Sequence, residues 1–363
     1  MLENSYISPS TETKDRYVRF SNSDGKAWVV PTKNMRTALN IYQPSGVRGR
    51  LVKLLLPYLH WSTAVQNRIK ARRLQIKLDS SISELLRRVL GVESFEFSIF
   101  EGTPSTHQKV TIQISQGDKI LAYCKLSSNK SVESLFRHEQ HILTTLHQKG
   151  VRNIPEPLYC GAVNQSNNTI AFIQSTTKTN HSVISHAWQS EHDKFLQRLH
   201  NSTKVRLPFS QSDFARSISV LEGYLPSLQE VNAELIRQAI TSVRSYYGDG
   251  EVEFSAHHGD FTPWNTFLED DKLFVFDWEY SSLSYPPYLD RFHFVTQTAI
   301  FARRVSAEEL ISEFKGEEIA NFDISYTSYL LDVMSRYIDR ERGTLSDHTK
   351  RMLSIWSDLL RKI

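Results

Sequence analysis

Cysteine is scarce in this 363-residue chain: Cys124 and Cys160 are the whole set. Neither belongs to a Cys-x-x-Cys pair or has metal-ligand spacing, which excludes a disulfide framework and leaves two reduced, buried thiols as the expectation. Long apolar runs are missing too. No stretch approaches the roughly 18–20 apolar residues that a bilayer-spanning helix needs. The opening residues Met1 to Tyr6 carry no apolar signal segment. The expected compartment is therefore a reducing cytoplasm. Disorder-type composition and internal repeats are also absent. Hydrophobic residues at 40% can bury a sizeable core, and charged residues at 23% are ordinary for a globular protein. The length suits two domains, or one bilobal domain with an extension.

A third absence is local. From Gly25 to Leu78 there is no Asp or Glu, against eleven Lys and Arg. Residues 1–78 carry fourteen basic and four acidic side chains, a net of +10, which leaves −7 for the rest of a chain whose total is +3. Such asymmetry points to an anionic partner for the basic part.

What is present falls into three regions: a basic N-terminal extension over 1–90, a small β lobe with one helix over 91–177, and a mainly helical lobe over 178–363. The middle region alternates apolar and polar residues over Phe95–Phe100 and Val110–Ile114, and a turn at Gln116–Lys119 leads into a third strand, Ile120–Leu126. A helix follows, with Ser131 expected as its N-cap, Leu135, Ile142, Leu143 and Leu146 as its apolar stripe and Gly150 as its stop. Leu158–Val163 and Thr169–Gln174 read as two more strands. Helical periodicity marks 190–200, 228–247, 288–303, 324–340 and 346–362.

The stretch that carries chemistry runs from His257 to Glu279. It reads His257-His258-Gly259-Asp260-Phe261-Thr262-Pro263-Trp264-Asn265, then an acidic turn at Glu269-Asp270-Asp271, then an apolar strand ending in Asp277. Asp260 and Asn265 share one short loop. A hairpin returning through the acidic turn would bring Asp277 back to it. Phosphoryl transfer calls for such a set: a loop carboxylate to take the acceptor's proton, with an amide oxygen and a second carboxylate to hold magnesium.

Taken singly, each residue has a plainer reading. Asp260 is a common turn or cap residue. Lys125 could snorkel from a strand end, and Glu139 could be a solvated helix residue. Trp264 and Trp278 read as packing residues. His258 reads as a structural group bonding loop backbone. His257, His258, Asp260 and Asp277 could also form a hydrolase metal centre, which would leave Asn265 without a task.

The segment 257–279 resembles the catalytic core of the aminoglycoside phosphotransferase and choline kinase superfamily. Its wording is similar to that of kinase-like proteins associated with bacterial surface polysaccharide synthesis. The resemblance extends unevenly over 95–345 and implies a bilobal α+β protein-kinase-like fold. It implies ATP and Mg2+ as cofactors and transfer of the γ-phosphoryl group to a hydroxyl of a small molecule, sugar or glycan. It assigns Asp260 as catalytic base and Asn265 and Asp277 as metal ligands. Lys125 would touch the nucleotide phosphates, Glu139 would pair with it, and Asp290 and His258 would support the loop. A water-excluding cleft between the lobes is part of the same expectation.

The phosphate-covering loop, Glu101–Lys109, departs from the protein-kinase pattern. It has one glycine where that pattern has G-x-G-x-x-G. Gly102, Ser105 and Thr106 are its expected phosphate contacts, and Gln174 is the expected adenine-holding position. The missing glycine pattern and activation-segment wording set a protein kinase aside. A catalytically idle kinase-like scaffold in glycan assembly is the other reading.

Within the basic module, residues 47–77 mix cations with Leu51, Val52, Leu54, Leu55, Leu56, Tyr58, Leu59 and Trp61, and Pro57 is expected to kink or end a helix. Peripheral contact with an anionic membrane at the inner face is one expectation for this segment, and a core-packed helix with a solvated basic face is the other. No recognition motif for nucleic acid is present.

Overall fold

The computed structural model describes residues 6–10, 16–22, 25–44, 47–102, 108–164, 168–228, 232–316 and 319–363. The chain divides into two compact units. One comprises Met1–Gln148, Arg152–Ile184 and Phe267–Glu279. The other comprises Lys149–Val151, Ser185–Thr266 and Tyr280–Ile363.

The first unit is built on a sheet. Strands β1 (Ile7–Pro9), β2 (Tyr17–Ser21), β3 (Ala27–Pro31), β4 (Arg72–Leu74) and β5 (Ile76–Leu78) come from the basic stretch. Helices α1 (Met35–Ala38), α2 (Val47–Leu59), α3 (Thr63–Arg68) and α4 (Ser80–Leu90) accompany them. Then follow β6 (Glu96–Glu101), β7 (Val110–Gln116), β8 (Lys119–Ser127), α5 (Lys130–Gln148), β9 (Pro157–Ala162) and β10 (Ile170–Ser175). Eight strands form one antiparallel sheet in the order β4-β2-β3-β6-β7-β8-β10-β9. Residues of the basic stretch and of the following β region thus share one unit and one sheet, joined where Val29 of β3 pairs with Ile99 of β6.

Register explains the two faces. Ile99 pairs with Ile112, Ile112 with Cys124, and Cys124 with Ile173, a fully buried apolar row. This row packs with Ile82, Leu85 and Leu86 of α4. Side chains alternate along a strand, so Lys125 points to the opposite face, beside Phe172. Phe136 of α5 stacks on Phe172 at 6.0 Å between ring centres. Helix α5 buries Val132, Phe136, Glu139, Leu143 and Leu146 at helical spacing, so one carboxylate lies inside an apolar stripe. The cap of α5 is Asn129: its side chain accepts the Ser131 N–H at 2.9 Å, and Ser131 itself lies in the first turn rather than capping it. Cys124 is buried and Cys160 only half-buried, so the expected burial of both thiols holds for one.

Helix α2 runs two residues past Pro57. Because the missing N–H falls in the last turn, it removes little of the ladder. The Pro57 and Tyr58 carbonyls are taken up by His60 Nδ1 at 3.2 Å and Trp61 Nε1 at 2.8 Å.

In the second unit a small sheet orders Val205–Pro208 (β11), Glu251–His257 (β12) and Ser282–Tyr285 (β15) as β11-β12-β15. Between β12 and β15 the chain makes the hairpin Thr266–Glu269 (β13) and Lys272–Val275 (β14), which apart from Thr266 belongs to the first unit. Asp270 and Asp271 both have positive φ, 48° and 56°, as a two-residue hairpin turn requires. Among the described residues the second unit also holds seven α-helices: α6 (Ser190–Thr203), α7 (Asp213–Tyr224), α8 (Ala233–Tyr247), α9 (Leu289–Thr298), α10 (Ala307–Lys315), α11 (Phe322–Arg340) and α12 (Asp347–Lys362). Helix α11 is central: every residue from Tyr326 to Ser335 is buried. Helix α8 begins at Ala233, later than the periodicity predicts, because Asn232 caps it by accepting the Leu235 N–H at 3.1 Å.

Candidate active site

Each unit carries one group of chemically competent side chains. In the sheet unit the centre is Lys125 on β8, buried to 4% exposure. Its Nζ donates to Glu139 Oε2 and to Asp277 Oδ1, both at 2.6 Å. The other Glu139 oxygen accepts the Trp278 N–H at 3.1 Å. A fully buried carboxylate is thereby satisfied from both sides, as burial of charge demands. Asp277 sits just past β14 with φ 69°, a left-handed conformation that aspartate adopts more readily than most residues. Lys109 lies immediately before β7 and donates to Glu279, with Asp277 Oδ1 at 3.6 Å.

Burial works against the Lys125 charge, but Asp277 and Glu139 outweigh it, so its pKa is raised. Burial opposes the Lys109 charge as well, and Asp277 and Glu279 again hold that pKa above the ordinary lysine value. For Glu139 burial dominates and pushes the carboxyl up, with Lys125 pulling the other way. Glu139, Asp277 and Glu279 each offer an oxygen within 4.8 Å of the others. Three carboxylates against two ammonium groups leave a net negative, all-oxygen donor set, the kind that suits Mg2+. Neither His257 nor His258 belongs to this set, so a hydrolase centre with these histidines is not assembled among the described residues.

Gln174 lies on β10 opposite Tyr123, is 3% exposed, and follows a register shift between Ile173 and Gln174. Gly102 follows β6, and its carbonyl accepts from Gln108 Nε2 at 3.4 Å. Ser105 and Thr106 lie outside the described residues.

In the helical unit the loop after β12 is held from several sides. Asp290, in the first turn of α9, accepts the His258 N–H at 2.8 Å and the Gly259 N–H at 3.1 Å. Gly259 has φ +83°, and a Cβ there would stand 2.3 Å from the Tyr280 carbonyl oxygen. Only glycine meets both conditions. Arg336 of α11 donates to the Gly259 carbonyl and, through Nε, to Asp332 Oδ2 at 2.9 Å. His258 Nδ1 accepts the Asp260 N–H at 3.2 Å, which fixes Nδ1 as the acceptor nitrogen.

Asp260 is left with both carboxylate oxygens oriented. Oδ2 accepts from Asn265 Nδ2 at 2.7 Å, and Oδ1 lies 3.1 Å from His293 Nε2. The same Asn265 nitrogen reaches the Asp260 carbonyl at 2.9 Å, which leaves the amide oxygen as the atom suited to a cation. Tyr329 lies 3.5 Å from His293 Nδ1. The Asp260 side chain is one-third exposed and can meet a substrate. His257 stands 3.3 Å from Asp290 Oδ1 without hydrogen-bond geometry. Burial lowers its pKa to about 3 against the pull of Asp290, so the ring is neutral.

The structure therefore brings Lys125, Glu139 and Asp277 together in one unit, and His258, Asp260, Asn265 and Asp290 in the other. Sequence reasoning overlooked Lys109, Glu279, His293 and Arg336 as contributors. Glu279 and His293 had a signal: each lies beside a residue already singled out, at the i+2 step from Asp277 and the i+3 step from Asp290. Lys109 and Arg336 had none, since Glu279 and the Gly259 carbonyl that they reach are 170 and 77 residues away.

No family model matches the chain. Over 93 residues, a quarter of this chain, it is 36% identical to Protein LicA of Haemophilus influenzae. The chain spans about a third of the length of that curated relative (34%). A thermostable mutant of aminoglycoside phosphotransferase APH(4)-Ia, solved in ternary complex with ADP and hygromycin B, superposes with a TM-score of 0.51. The superposition covers 78% of this chain and 98% of that one at 12% identity. The chain has the kinase-like fold of the aminoglycoside phosphotransferases. Choline kinase LicA from Streptococcus pneumoniae aligns over 78% of this chain and all of its own, with a TM-score of 0.49 and 15% identity. In this kinase-like chain, Lys125 and Glu139 lie on a strand and a helix of the sheet unit, and Asp260 on a loop of the helical unit.

Proposed function

We propose that the chain transfers the γ-phosphoryl group of ATP to a hydroxyl group of a small molecule, sugar or glycan. The observation that carries this reading is the Lys125–Glu139–Asp277 triad. A buried strand lysine held by a helix glutamate and by the aspartate after an apolar strand is the arrangement that phosphoryl transfer uses for nucleotide phosphates.

In this reading the acceptor oxygen forms a bond to Pγ while the bond from Pγ to the β–γ bridging oxygen breaks. ADP leaves, and the hydroxyl proton passes to an Asp260 carboxylate oxygen. Asn265 and His293 orient that carboxylate, and His258, Asp290 and Arg336 hold its loop. Asp277 and Asn265 would hold Mg2+, which when bound neutralises phosphate charge. Lys125 faces the phosphates and Glu139 positions it. Lys109, paired with Asp277 and Glu279, is a further cation for the triphosphate. Gly102, Ser105, Thr106 and Gln174 are assigned to the phosphate loop and the adenine.

The test is ADP formation from ATP and Mg2+ over a panel of sugars, polyols and amino alcohols. Stimulation above the acceptor-free rate by one class is expected. Nucleotide binding without stimulation by any acceptor would instead favour the idle scaffold.

A further inference from the structure

Helix α2 is apolar on the side it turns to solvent. Val47, Leu51, Leu54, Leu55 and Tyr58 are 74, 51, 61, 44 and 63% exposed. At 3.6 residues per turn these five positions fall within an arc of about 100°. Leu56, on the opposite side, is 1% exposed and packs into the cluster of Val18, Phe20, Trp28 and Val30. The helix thus carries apolar side chains on two sides and is covered on one of them only, which leaves a patch of the kind that marks an interaction site. Trp61, just beyond the helix, continues the apolar side at 64% exposure.

Charge identifies the partner. Arg48 and Arg50 are exposed and flank the apolar arc on its two sides. Exposed Arg73 donates to the Trp61 carbonyl at 3.0 Å, which sets a further cation beside the indole. No acidic residue occurs between Gly25 and Leu78. A second copy would meet this face with its own copy of the same cations, since a two-fold interface is self-complementary. An apolar stripe rimmed by arginine, with a tryptophan at its end and no carboxylate in the stretch of chain that builds it, matches the boundary of an anionic bilayer.

We propose that the solvent-facing side of α2, with Trp61 and the flanking arginines, docks this protein on anionic phospholipid membranes. Leu51, Leu54, Tyr58 and Trp61 enter the acyl boundary, and Arg48, Arg50 and Arg73 meet lipid phosphates. The docking goes beyond the proposed phosphotransfer and stands whether or not that reading holds.

The test is co-sedimentation of the full chain with vesicles of phosphatidylcholine alone and of phosphatidylcholine mixed equally with phosphatidylglycerol. Binding to the anionic vesicles is expected, weakening as salt rises. Leu51→Gln/Leu54→Gln should reduce it roughly tenfold or more, and Arg48→Gln/Arg50→Gln should abolish the preference for anionic lipid. Circular dichroism and the acceptor-free ADP rate should match the parent in both variants. Three results would overturn the proposal: no binding to anionic vesicles, equal binding by the leucine variant, or concentration-dependent dimers of the parent that the leucine variant abolishes.

Discussion

Lys125 shows how one side chain ties fold to chemistry. Its ammonium is the partner of a glutamate with no exposed surface, so removing it strands a charge inside α5. Breaking a buried pair from one side costs about 3–5 kcal/mol, whereas replacing both partners with apolar groups is often close to neutral. Lys125→Met should therefore destabilise the chain by about 3 kcal/mol, and Lys125→Met/Glu139→Leu should recover most of that loss in urea unfolding. Both variants should lose phosphotransfer. Equal stability of the single and double variants would show that the pair is not coupled.

Asp260 carries a different burden. A general base typically contributes a factor of about 10²–10⁴, so Asp260→Ala should lower kcat by that order while ATP binding, measured by calorimetry, stays within about threefold. His293→Gln keeps a donor near Oδ1 at best weakly. It should lower kcat with little change in KM for ATP, since the ring touches Asp260 and not Lys125.

At the scale of elements, the loop after β12 is held by two helices and one glycine. Gly259→Ala would place a carbon against the Tyr280 carbonyl at a backbone angle alanine rarely adopts. A loss of about 3 kcal/mol in unfolding free energy is expected, together with reduced kcat from a displaced Asp260. His257, at the end of β12, gives the fold an acid-sensitive point. Its ring is stacked on Tyr285 at 4.5 Å and is held neutral, with the pKa lowered to about 3 from 6.5. Between those two values the unfolded chain binds a proton that the folded chain refuses, so stability is complete above pH 6.5 and falls as the pH drops towards 3. The loss is on the order of 4 kcal/mol, and His257→Phe should flatten that limb of the stability–pH curve.

Much of this scale was legible. The alternation over 95–126 marks β6, β7 and β8 because one face of each strand is apolar while the other carries Ser98, Gln113 and Lys125, which are buried as well. The Glu269-Asp270-Asp271 turn was readable because consecutive aspartates tolerate the positive φ of a tight hairpin. The α5 cap was misassigned by two residues because Asn129 and Ser131 are both good cap residues, and only the geometry decides between them. Strands β2 and β3 went unread. Tyr17–Ser21 and Ala27–Pro31 are buried on both faces for most of their length, so they lack the alternation that marks a half-buried strand. The His258–Asp260–Asn265 loop was readable as local spacing. The groups that orient it from α11 are set by packing between elements far apart in the chain, and no local pattern encodes them.

For the molecule as a whole, the uneven charge and the uneven chemistry follow the same division. The basic stretch joins the sheet that carries Lys125, and its exposed apolar helix gives that unit a second surface. The helical unit supplies the carboxylate suited to accept a proton. Among the described residues no helix is long and apolar enough to cross a membrane.

Central to this account is the movement of a phosphoryl group to a hydroxyl with Asp260 as proton acceptor. The most direct test follows ATP labelled in its γ-phosphoryl group in the presence of the acceptor found by the panel. The label should appear as a phosphate ester on that acceptor with the parent chain, and its rate of appearance should fall by about 10²–10⁴-fold with Asp260→Ala. Label found only in inorganic phosphate, or equal ester formation by the Asp260→Ala chain, would contradict it.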